Sequence, residues 1–535
     1  MFIIGGGPAG AAAARLLASW GWSVLIAHRP AGQRPSLAES LPPSTRKVLG
    51  FIGLLDAVEA AGFHPNFGNI ARWAGHPRAT TTDAAGFHVL RAQFDGVLRR
   101  AAAASGARIV DAVVRRVHAG DPCRVDYVAR DGHVATEWVR YVLDCSGRAG
   151  IVARRGWRRR EPGYSTIAVA AEWESATWAQ NEKAHTIVES YHDGWAWSVP
   201  LSPTRRQFTV MIDTVKRRDH GDRDHSLSNA LMVSLSNRPL MVSLSNHAIS
   251  ALNVVYSREL AKTSELSARL VDASQTSEPW ACDASLYDAV RAADEGVLLV
   301  GDAASFIEPL SSAGVKKALT SAWRAAVVTN TCLSKPSMAG PALDFFAGRE
   351  REIYTECRRR AAKFFREAAA AHDNPFWSAR ADCVTAGSDS DSTSIVTHED
   401  LARDPSVRAA FDDLRHAPSV RLRPAARVRF EPAATIEGRE VVMRDALVLP
   451  GLDAPLRFMA GVDLPALVAL ARECGDMSSL IAAYRSQFGA IPVQELLTGL
   501  SLLVAHRALI NESNVSLDYS QVLLKADTTS AESSS

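Results

Sequence analysis

The chain has 535 residues, of which 47% are hydrophobic and 22% are charged, and its formal net charge is +2 at pH 7. This globular composition has room for two or three domains, and the near-neutral charge gives no reason to expect nucleic acid or an anionic membrane as a partner. No apolar run reaches the roughly 18 residues of a membrane span and no leader precedes the first strand, so we predict a cytoplasmic protein without a membrane partner.

The first predicted element is a strand, turn and helix built around glycines. Its three parts are, in order, Met1–Ile4, Gly5-Gly6-Gly7-Pro8-Ala9-Gly10 and Ala11–Ala18. Gly5 permits a sharp turn, Gly7 lets the backbone approach a diphosphate, and Gly10 lets the helix pack closely on the strand. A second strand, Ser23–Ala27, completes a βαβ unit whose helix N-terminus favours a dianion. The pattern is typical of dinucleotide binding; the alternative is a glycine-rich turn before an ordinary helix.

The end of the second strand departs from the usual dinucleotide pattern. Such folds place Asp or Glu about 20 residues after the glycines to hold a ribose hydroxyl, whereas this chain has His28 and Arg29. A neutral imidazole nitrogen can accept the same hydrogen bond, although it carries no full charge. We therefore take His28 as a candidate ribose contact.

Two polar segments come next. Glu39-Ser40-Leu41-Pro42-Pro43-Ser44 precedes a predicted helix over Thr45–Ala61, and is either a loop with a helix cap or part of a cofactor site. Arg91 lies one helical turn before Asp95. It can brace a phosphate in a bidentate manner, but the residues alone favour a surface ion pair.

A third strand, Tyr141–Asp144, runs into Cys145-Ser146-Gly147-Arg148. The carboxyl end of a strand that meets Asp and Gly is where a doubly wound sheet binds its ligand. The basic segment Arg154–Arg160 follows, and we interpret it as a solvated charge run rather than a phosphate-binding patch.

Strands are predicted through Glu172–Ile212. Within them Trp195 and Trp197 lie two residues apart and therefore face the same side of a strand. They either wall an aromatic pocket or pack in the core of the sheet. Further on, Leu231–Asn237 recurs at Leu240–Asn246, which matches no solenoid period, so Asp219–Ile249 is predicted to be an insertion.

A second nucleotide-binding element follows the strand Gly296–Val300. It comprises Gly301-Asp302, the turn residue Pro309, and Gly314-Val315 at the start of a helix over Lys316–Asn330. Asp302 can accept a hydrogen bond from a sugar-like hydroxyl, and the helix N-terminus can stabilise negative charge on a cofactor ring. An ordinary turn between strand and helix is the alternative.

Taken in order, these segments resemble the FAD-dependent monooxygenases of the hydroxybenzoate-hydroxylase fold, and within them the flavin-dependent halogenase branch. The resemblance covers roughly residues 1–370. It depends on the glycine turn at 5–10, Glu39-Ser40-Leu41-Pro42, Arg91 with Phe94-Asp95, Asp144-Cys145-Ser146-Gly147-Arg148, Trp195-x-Trp197-x-Val199-Pro200, and Gly301-Asp302 with Pro309-Leu310-Ser311-Ser312.

The resemblance implies FAD and assigns residues to it. The implied cofactor-binding residues are Gly5, Gly7, Pro8, Ala9, Gly10, His28, Arg29, Glu39, Ser40, Arg91, Asp144, Gly147, Gly301, Asp302, Pro309, Gly314 and Val315. Pocket candidates for a substrate are Trp195, Trp197, Pro309, Ser311 and Ser312. The catalytic residue itself is left unassigned.

Two departures from the resemblance bear on the chemistry. Tryptophan halogenases use a lysine in the region that resembles Asn66–Trp73, which contains none here, and a glutamate where this chain has Ser311. We therefore expect an FAD-dependent monooxygenase that hydroxylates an aromatic, indole-like ring through a flavin C4a-hydroperoxide. The segment from Glu308 to Ser312, with Lys316 and Lys317, resembles flavoproteins that oxygenate tryptophan residues while quinone cofactors mature. This resemblance makes a ring borne by a peptide or protein one form of the expected substrate.

Two alternatives remain open. One is a halogenase that does without the usual Lys and Glu, and the other is a non-catalytic flavoprotein scaffold or binding protein. Because the chain has one dinucleotide motif, reducing equivalents are expected from transient NAD(P)H or from a partner flavin reductase.

The C-terminal third predicts a separate α+β module. A helix over Cys357–Ala371 and a polar linker, Ala386–Ser394, precede strands at Arg427–Phe430 and Arg439–Leu449. Helices follow near Asp463–Glu473, Met477–Phe488 and Pro492–Ala505. This order resembles a winged helix, but the last helix contains no Lys or Arg, which argues against nucleic acid.

The fold class is thus α/β: a Rossmann-type FAD-binding domain with an inserted mixed β-sheet substrate domain, followed by the winged-helix-like domain. The predicted boundaries are 1–165 and 286–375 for the FAD-binding parts, 166–285 for the substrate-side sheet, 376–420 for a linker, 421–511 for the winged-helix-like module and 512–535 for a disordered tail. The seven cysteines are scattered and never form CxxC, which is typical of reduced thiols and predicts no metal site.

Overall fold

The computed structural model of the protein describes residues 1–29, 36–161, 165–180, 182–213, 246–382, 398–416 and 420–512. The chain forms two compact units, Met1–Ser388 and Asp389–Ser535. Its strands are β1 (Phe2–Ile4), β2 (Leu25–His28), β3 (Ala38–Leu41), β4 (His64–Trp73), β5 (His76–Leu90), β6 (Arg108–His118), β7 (Cys123–Ala129), β8 (Val134–Val139), β9 (Val142–Asp144), β10 (Arg158–Arg160), β11 (Thr166–Glu174), β12 (His185–Tyr191), β13 (Gly194–Pro200), β14 (Arg205–Asp213), β15 (Ser274–Gln275), β16 (Trp280–Asp283), β17 (Tyr287–Ala289), β18 (Ala293–Asp294), β19 (Val297–Leu299), β20 (Leu422–Pro424), β21 (Arg429–Glu437), β22 (Glu440–Val448), β23 (Phe458–Met459), β24 (Val462–Asp463) and β25 (Leu509–Asn511).

The helices are α1 (Pro8–Ser19), α2 (Ser44–Phe51), α3 (Leu55–Glu59), α4 (Arg91–Ala104), α5 (Asn246–Leu260), α6 (Glu265–Ala268), α7 (Gly314–Ser334), α8 (Ala339–Ala371), α9 (Pro375–Asp382), α10 (His398–Arg403), α11 (Pro405–His416), α12 (Leu464–Leu470), α13 (Met477–Phe488) and α14 (Val493–Ala505). Short 3-10 turns, Gly147–Ala149 and Gly301–Ala303, follow β9 and β19.

The first sheet has eight strands in the order β18-β19-β9-β1-β2-β6-β7-β8. Its central pairs, β19 with β9, β9 with β1, β1 with β2 and β2 with β6, are all parallel. The carboxyl ends of these strands therefore meet at one edge of the sheet, where doubly wound folds bind their ligands.

Helix α1 packs against α4 and α7 beside the first sheet. Its residues Ala11–Ala14 have no exposed surface. Small side chains let the helix lie close to its neighbours, and this confirms the predicted strand, turn, helix and second strand at the start of the chain.

The second sheet is mixed and has nine strands. Eight lie in the order β15-β11-β14-β13-β12-β4-β5-β3, and β16 pairs with β11. The sheet takes β3, β4 and β5 from residues 38–90, whereas we expected the substrate-side sheet to come from 166–285 alone. The difference arises because β4 pairs in parallel with β12, with Ile70 opposite Ile187, and a pairing between such distant segments leaves no local pattern.

Both faces of the second sheet are covered by helices. On one face Trp195 and Ala168 pack with Phe365 of α8 and Trp377 of α9. On the other face Phe208 and its neighbours pack with residues of α5 and α6. Successive side chains of β11 point to opposite faces of the sheet, so this one strand contributes to both apolar cores.

The second unit is described by residues 398–416 and 420–512. Its hairpin pairs Arg429–Glu437 with Glu440–Val448 in antiparallel register, and its helices α12–α14 pack around a buried apolar core. The predicted pair of strands and three helices are therefore present. The winged-helix interpretation of this arrangement stays a prediction.

The predicted linker over 376–420 differs from the structure wherever it is described. Helices α9, α10 and α11 occupy most of it, and α11 buries Val407, Ala410 and Leu414 along one amphipathic face. Other predicted features lie outside the described residues: the polar stretch Ala386–Ser394, nearly all of the insertion Asp219–Ile249, and the tail from residue 513.

Among the described residues no single helix is long and apolar enough to cross a membrane. The pair formed by Met477–Phe488 and Val493–Ala505 passes a length and composition test together but is bent by 116°.

Candidate functional site

A cavity of about 500 Å³ opens at the carboxyl edge of the first sheet and continues to the second sheet. Both predicted glycine turns line it, the first through Gly5, Gly7, Pro8 and Ala9 and the second through Asp302, Pro309, Gly314 and Val315. His28, Arg29, Glu39, Ser40, Arg91 and Gly147 line it as well. Most of the predicted cofactor-binding residues thus lie around one space.

Two glycines of the first turn, Gly5 and Gly10, have no room for a side chain. Gly5 adopts a φ of 101°, which disfavours other residues. A Cβ on Gly10 would lie 1.9 Å from the Gly5 carbonyl oxygen, so this glycine serves close packing. Gly7 differs, because its Cβ would meet only side-chain atoms of Asp95 and Arg91, at 3.7 and 3.8 Å.

The N-terminus of α1 faces this cradle. Gly7 is its N-cap residue and supplies no side-chain hydrogen bond to the first turn. Its first-turn amides and partial positive charge therefore favour an anionic group at a space that a side chain on Gly7 would fill. The donor set fits the diphosphate of a dinucleotide.

The second turn lies directly beside the first. Gly301 has a φ of 65°, and a Cβ there would lie 3.2 Å from the Cβ of Ala9 and 3.3 Å from that of Ala318. Its amide donates to the Ser321 hydroxyl at 2.9 Å. The two turns therefore meet at one edge of the first sheet.

Lys317 fixes the backbone of the second turn. Its side chain is 4% exposed and donates to the carbonyl oxygens of Gly301, at 3.2 Å, and Ser305. The ammonium group also lies 3.4 Å from the Asp302 carboxylate. A buried lysine that donates to backbone carbonyls stabilises the turn. Asp302, beside it, lines the cavity.

His28 ends β2 at the rim of the cavity. Burial lowers the pKa of its imidazole, and the nearby Arg99 guanidinium lowers it further. A neutral ring has one donor and one acceptor nitrogen, which suits contact with a sugar hydroxyl better than a charged ring does. The structure therefore places His28 where the sequence pattern expects a ribose contact.

Arg91 pairs with carboxylates on two elements. It forms a two-pronged ion pair with Asp95, at 3.0 and 3.2 Å, and its third nitrogen lies 3.2 Å from Glu39. The pair favoured from sequence is confirmed, but it is partly buried and lines the cavity. Burial raises the pKa of Glu39, and Arg91 opposes that shift. Glu39 itself lies on strand β3 rather than in a loop.

Two tryptophans form an aromatic wall at the far end. Trp195 and Trp197 stack with centroids 4.8 Å apart and ring planes inclined by 27°. Trp195 is 2% exposed and also packs edge-on against Trp73, whereas Trp197 is only partly buried. Both line the cavity, so both interpretations left open by the sequence apply: Trp195 belongs to the core and to the wall.

Four predicted site residues do not line the cavity. Gly10 and Gly301 pack against backbone or small side chains, as described above. The Asp144 carboxylate is fully buried and accepts hydrogen bonds from the Ser146 and Val152 amides, so it shapes its own turn. The Ser311 hydroxyl donates to the Glu308 carbonyl at 3.1 Å within the 3-10 turn Pro309–Ser311, while Ser312 reaches the wall.

Several lining residues were not predicted as site residues. They come from β10, β16 and β17 and the segments beside them: Arg154, Arg158, Arg160, Trp280, Tyr287 and Phe306. The basic run 154–160 is largely exposed, as predicted, yet three of its arginines also line the cavity. No local pattern marks Trp280 or Tyr287, because strand pairing brings them to the cavity.

No group of three or more His, Cys, Asp or Glu side chains within the described ranges is placed to hold a metal ion. The six described cysteines are free thiols, and four of them are buried.

Comparison with known proteins gives a consistent family. The tryptophan halogenase family model matches residues 64–392, more than half of the chain. A tryptophan 2-halogenase of Chondromyces crocatus is 28% identical over 404 residues, which cover 71% of this chain and 70% of that protein.

Two solved structures share the fold over nearly the whole chain. The flavin-dependent halogenase CmlS has a TM-score of 0.71 at 22% identity and covers 95% of both chains. The peptidyl tryptophan dihydroxylase QhpG, described as essential for tryptophylquinone cofactor biogenesis, has a TM-score of 0.59 at 22% identity, covering 95% of this chain and 99% of its own. At these identities the likeness establishes the mixed α/β fold alone.

Proposed function

The chain belongs to the tryptophan halogenase family of FAD-dependent halogenases and monooxygenases, and on that premise we propose that it halogenates an electron-rich aromatic ring. This reverses the order expected from the sequence, which placed hydroxylation first. The family match and the 28% identity to a tryptophan 2-halogenase support halogenation.

One observation carries the proposal. A single cavity joins two adjacent glycine turns to a wall of stacked tryptophans. The glycine end suits a dinucleotide and the tryptophan end suits a flat aromatic ring, so a cofactor and a substrate can occupy the same enclosed space.

The residues of the glycine end would hold FAD. Amides at the start of α1 would bind its diphosphate beside Gly7, His28 would contact the ribose, and Asp302 would accept a hydrogen bond from the ribityl chain. The N-terminus of α7, at Gly314 and Val315, would stabilise negative charge on the flavin ring.

When bound and reduced, FAD supplies two of the four electrons that convert dioxygen to two waters, and the other two come from replacing a ring C–H bond by a C–halogen bond. The protein's own contribution is to exclude water and to orient the ring. Trp195 and Trp197 would stack on the substrate. The reductant is proposed to be NAD(P)H, acting directly or through a partner flavin reductase.

Hydroxylation is the second candidate, and one observation favours it. Among the described residues that line the cavity there is no lysine, and β4, which resembles the lysine-bearing region of tryptophan halogenases, contains none. Ser311 stands where those enzymes are expected to have a glutamate. The fold shared with a peptidyl tryptophan dihydroxylase makes a peptide-borne ring a reasonable substrate for this alternative.

The experiment compares products with and without halide. FAD-loaded protein, a flavin reductase, NADH and dioxygen are supplied with indole, and with bromide in one of two matched reactions. A product with the isotope pattern of bromine, formed only with bromide, supports halogenation. A gain of oxygen in both reactions supports hydroxylation, and FAD-loaded protein that forms neither product leaves the non-catalytic scaffold or binding-protein alternative.

For the second unit we propose the winged-helix-like module expected from its sequence, with a role in holding the substrate or a protein partner rather than nucleic acid. The absence of Lys and Arg from Val493–Ala505 supports this. Removing residues 389–535 and repeating the indole reaction separates catalysis from the binding of a substrate or partner, because turnover of free indole should persist without the second unit.

A further inference from the structure

A group of arginines lines the cavity beside Tyr287, whose hydroxyl donates to the Asp302 carbonyl of the second turn. Arg154, Arg158 and Arg160 all contribute to the wall. Arg158 and Arg160 lie two residues apart on β10 and therefore face the same side, whereas Arg159 between them does not line the cavity. The pairing of Arg160 with Tyr287 of β17 fixes the strand there.

The positive charge of this group exceeds the negative charge beside it. Arg160 lies 2.9 Å from the Asp283 carboxylate, but Arg158 stacks on the Tyr287 ring at 3.7 Å and donates to the Arg148 carbonyl at 3.0 Å. The Nε and Nη2 atoms of Arg158 are buried and have no acceptor among the described residues. Buried donor atoms without an acceptor are costly, and this favours an anion near the Nε and Nη2 atoms of Arg158.

Arg154 is the member of the group that is free to donate. Its side chain is exposed, and it has no hydrogen-bond or ion-pair partner within the described part of the chain. Partial desolvation lowers the pKa of Arg154 and repulsion from Arg158 and Arg160 lowers it further, while Tyr287 and Asp283 oppose that shift. Mutual repulsion of this kind is relieved when an oxyanion binds between the guanidinium groups.

The arginines adjoin the aromatic wall. Arg148 donates to the Asp283 carbonyl at 2.7 Å and lies 3.3 Å from the Cys282 sulfur. Cys282 shares strand β16 with Trp280, and both pack in the same core as Trp195. The cationic group is therefore continuous with the surface against which a substrate ring would stack, while the α1 N-terminus serves the diphosphate.

We propose that Arg154, Arg158 and Arg160 bind an oxyanion carried by the aromatic substrate, so that the enzyme acts on an aromatic carboxylate or phosphate rather than a neutral arene. This inference rests on the proposed function and names the substrate class for the same site. A bidentate guanidinium contact is directional, so it would also set which ring carbon faces the cofactor.

The test uses the FAD-loaded full-length protein and ligands that differ in charge. Indole-3-propionate and indoxyl phosphate are the charged probes, and indole-3-propionamide is the neutral probe. Dissociation constants are measured by calorimetry at low ionic strength. We expect at least one anion to bind about 10-fold or more tightly than the amide, and added salt to weaken the anion alone. The better anion identifies the carboxylate or the phosphate as the source.

Variants locate the site. Arg154→Gln and Arg158→Gln should each bring the anion-to-amide ratio close to one, with FAD content and amide binding unchanged. Arg155→Gln is the matched control, because Arg155 donates to the carbonyls of Val117 and Arg115 and does not line the cavity. Should Arg158→Gln fold poorly, the exposed Arg154 still provides the test.

Equal binding of both anions and the amide, or no measurable binding of either anion, overturns the proposal. Loss of FAD from the arginine variants with an unchanged ratio also overturns it, because the charge would then serve the cofactor diphosphate. These results are read from binding alone, so they are distinct from a failure to form a halogenated or hydroxylated product.

Discussion

The two ends of the cavity are built differently. At the glycine end the backbone shapes the site. Gly5, Gly10 and Gly301 allow the two turns to approach within contact distance, and the N-terminus of helix α1 presents its amide groups. At the aromatic end the surface consists of side chains from β10, β13 and β16, which strand pairing brings together. The comparison teaches that the glycine end depends on the absence of side chains at particular positions. The aromatic end depends instead on the presence of particular side chains.

The largest effect should come from adding a single carbon to the glycine end. Gly10→Ala places a Cβ 1.9 Å from a backbone oxygen that cannot move cheaply, and we expect it to cost more than ~3 kcal/mol or to prevent folding. Gly348→Ala in α8 is the control, because its Cβ meets nothing within 4 Å. It should stabilise the protein by about 0.5 kcal/mol. Urea unfolding followed by circular dichroism measures both.

This contrast also explains what the sequence could predict. The turn at 5–10, the paired turn at 301–314 and the Asp95 partner of Arg91 were predictable, because each requirement is local in the chain. The strands β3–β5 in the second sheet were not, since they depend on β4 pairing with β12. The basic run 154–160 is largely exposed, as predicted. That three of its arginines also line the cavity was not predictable, because alternation on β10 matters only once Tyr287 and Asp283 are known to lie beside it.

At the aromatic end, Trp195→Ala should be the most damaging substitution. The ring is 2% exposed and contacts Trp73 and Trp197, so its removal should cost ~3–5 kcal/mol. Trp197→Ala, at a partly buried position, should lower the free energy of unfolding by roughly 1–2 kcal/mol. It should nevertheless lower kcat/KM at least as much as Trp195→Ala does. Equal losses of stability from the two variants would contradict the division between core and wall.

The brace under the second turn should have an intermediate effect. Lys317→Met removes the donor to the Gly301 and Ser305 carbonyls, and we expect a loss of about 2 kcal/mol together with weaker FAD binding. Lys316→Met is the neighbouring control, because the Lys316 ammonium group donates to the exposed Ser44 hydroxyl; its effect should stay within ~0.5 kcal/mol. Similar losses of stability in both variants would contradict the conclusion that Lys317, and not Lys316, stabilises the second turn.

The smallest effect concerns a buried histidine of β5, whose hydrogen-bond partner Thr186 lines the cavity. His88 is 1% exposed and lies 3.1 Å from the Thr186 hydroxyl; burial, and then Arg206, holds the pKa of its imidazole well below the usual value. The unfolded chain therefore binds a proton that the folded protein does not, and stability should fall as the pH drops below about 6.5. Urea midpoints at several pH values should show a shallower slope in His88→Gln, and an unchanged slope would contradict this assignment.

The central claim is that both glycine turns hold one FAD, and titration of flavin into two cavity variants tests it most directly. Gly7→Val and Gly314→Val add side chains where the structure leaves space, since Gly7 has neighbours only at 3.7 Å or more and Gly314 has none within 4 Å. Both variants should fold, as judged by circular dichroism, yet bind FAD at least about 10-fold more weakly than the parent protein, which should bind one equivalent. Full flavin affinity in either folded variant would contradict the claim.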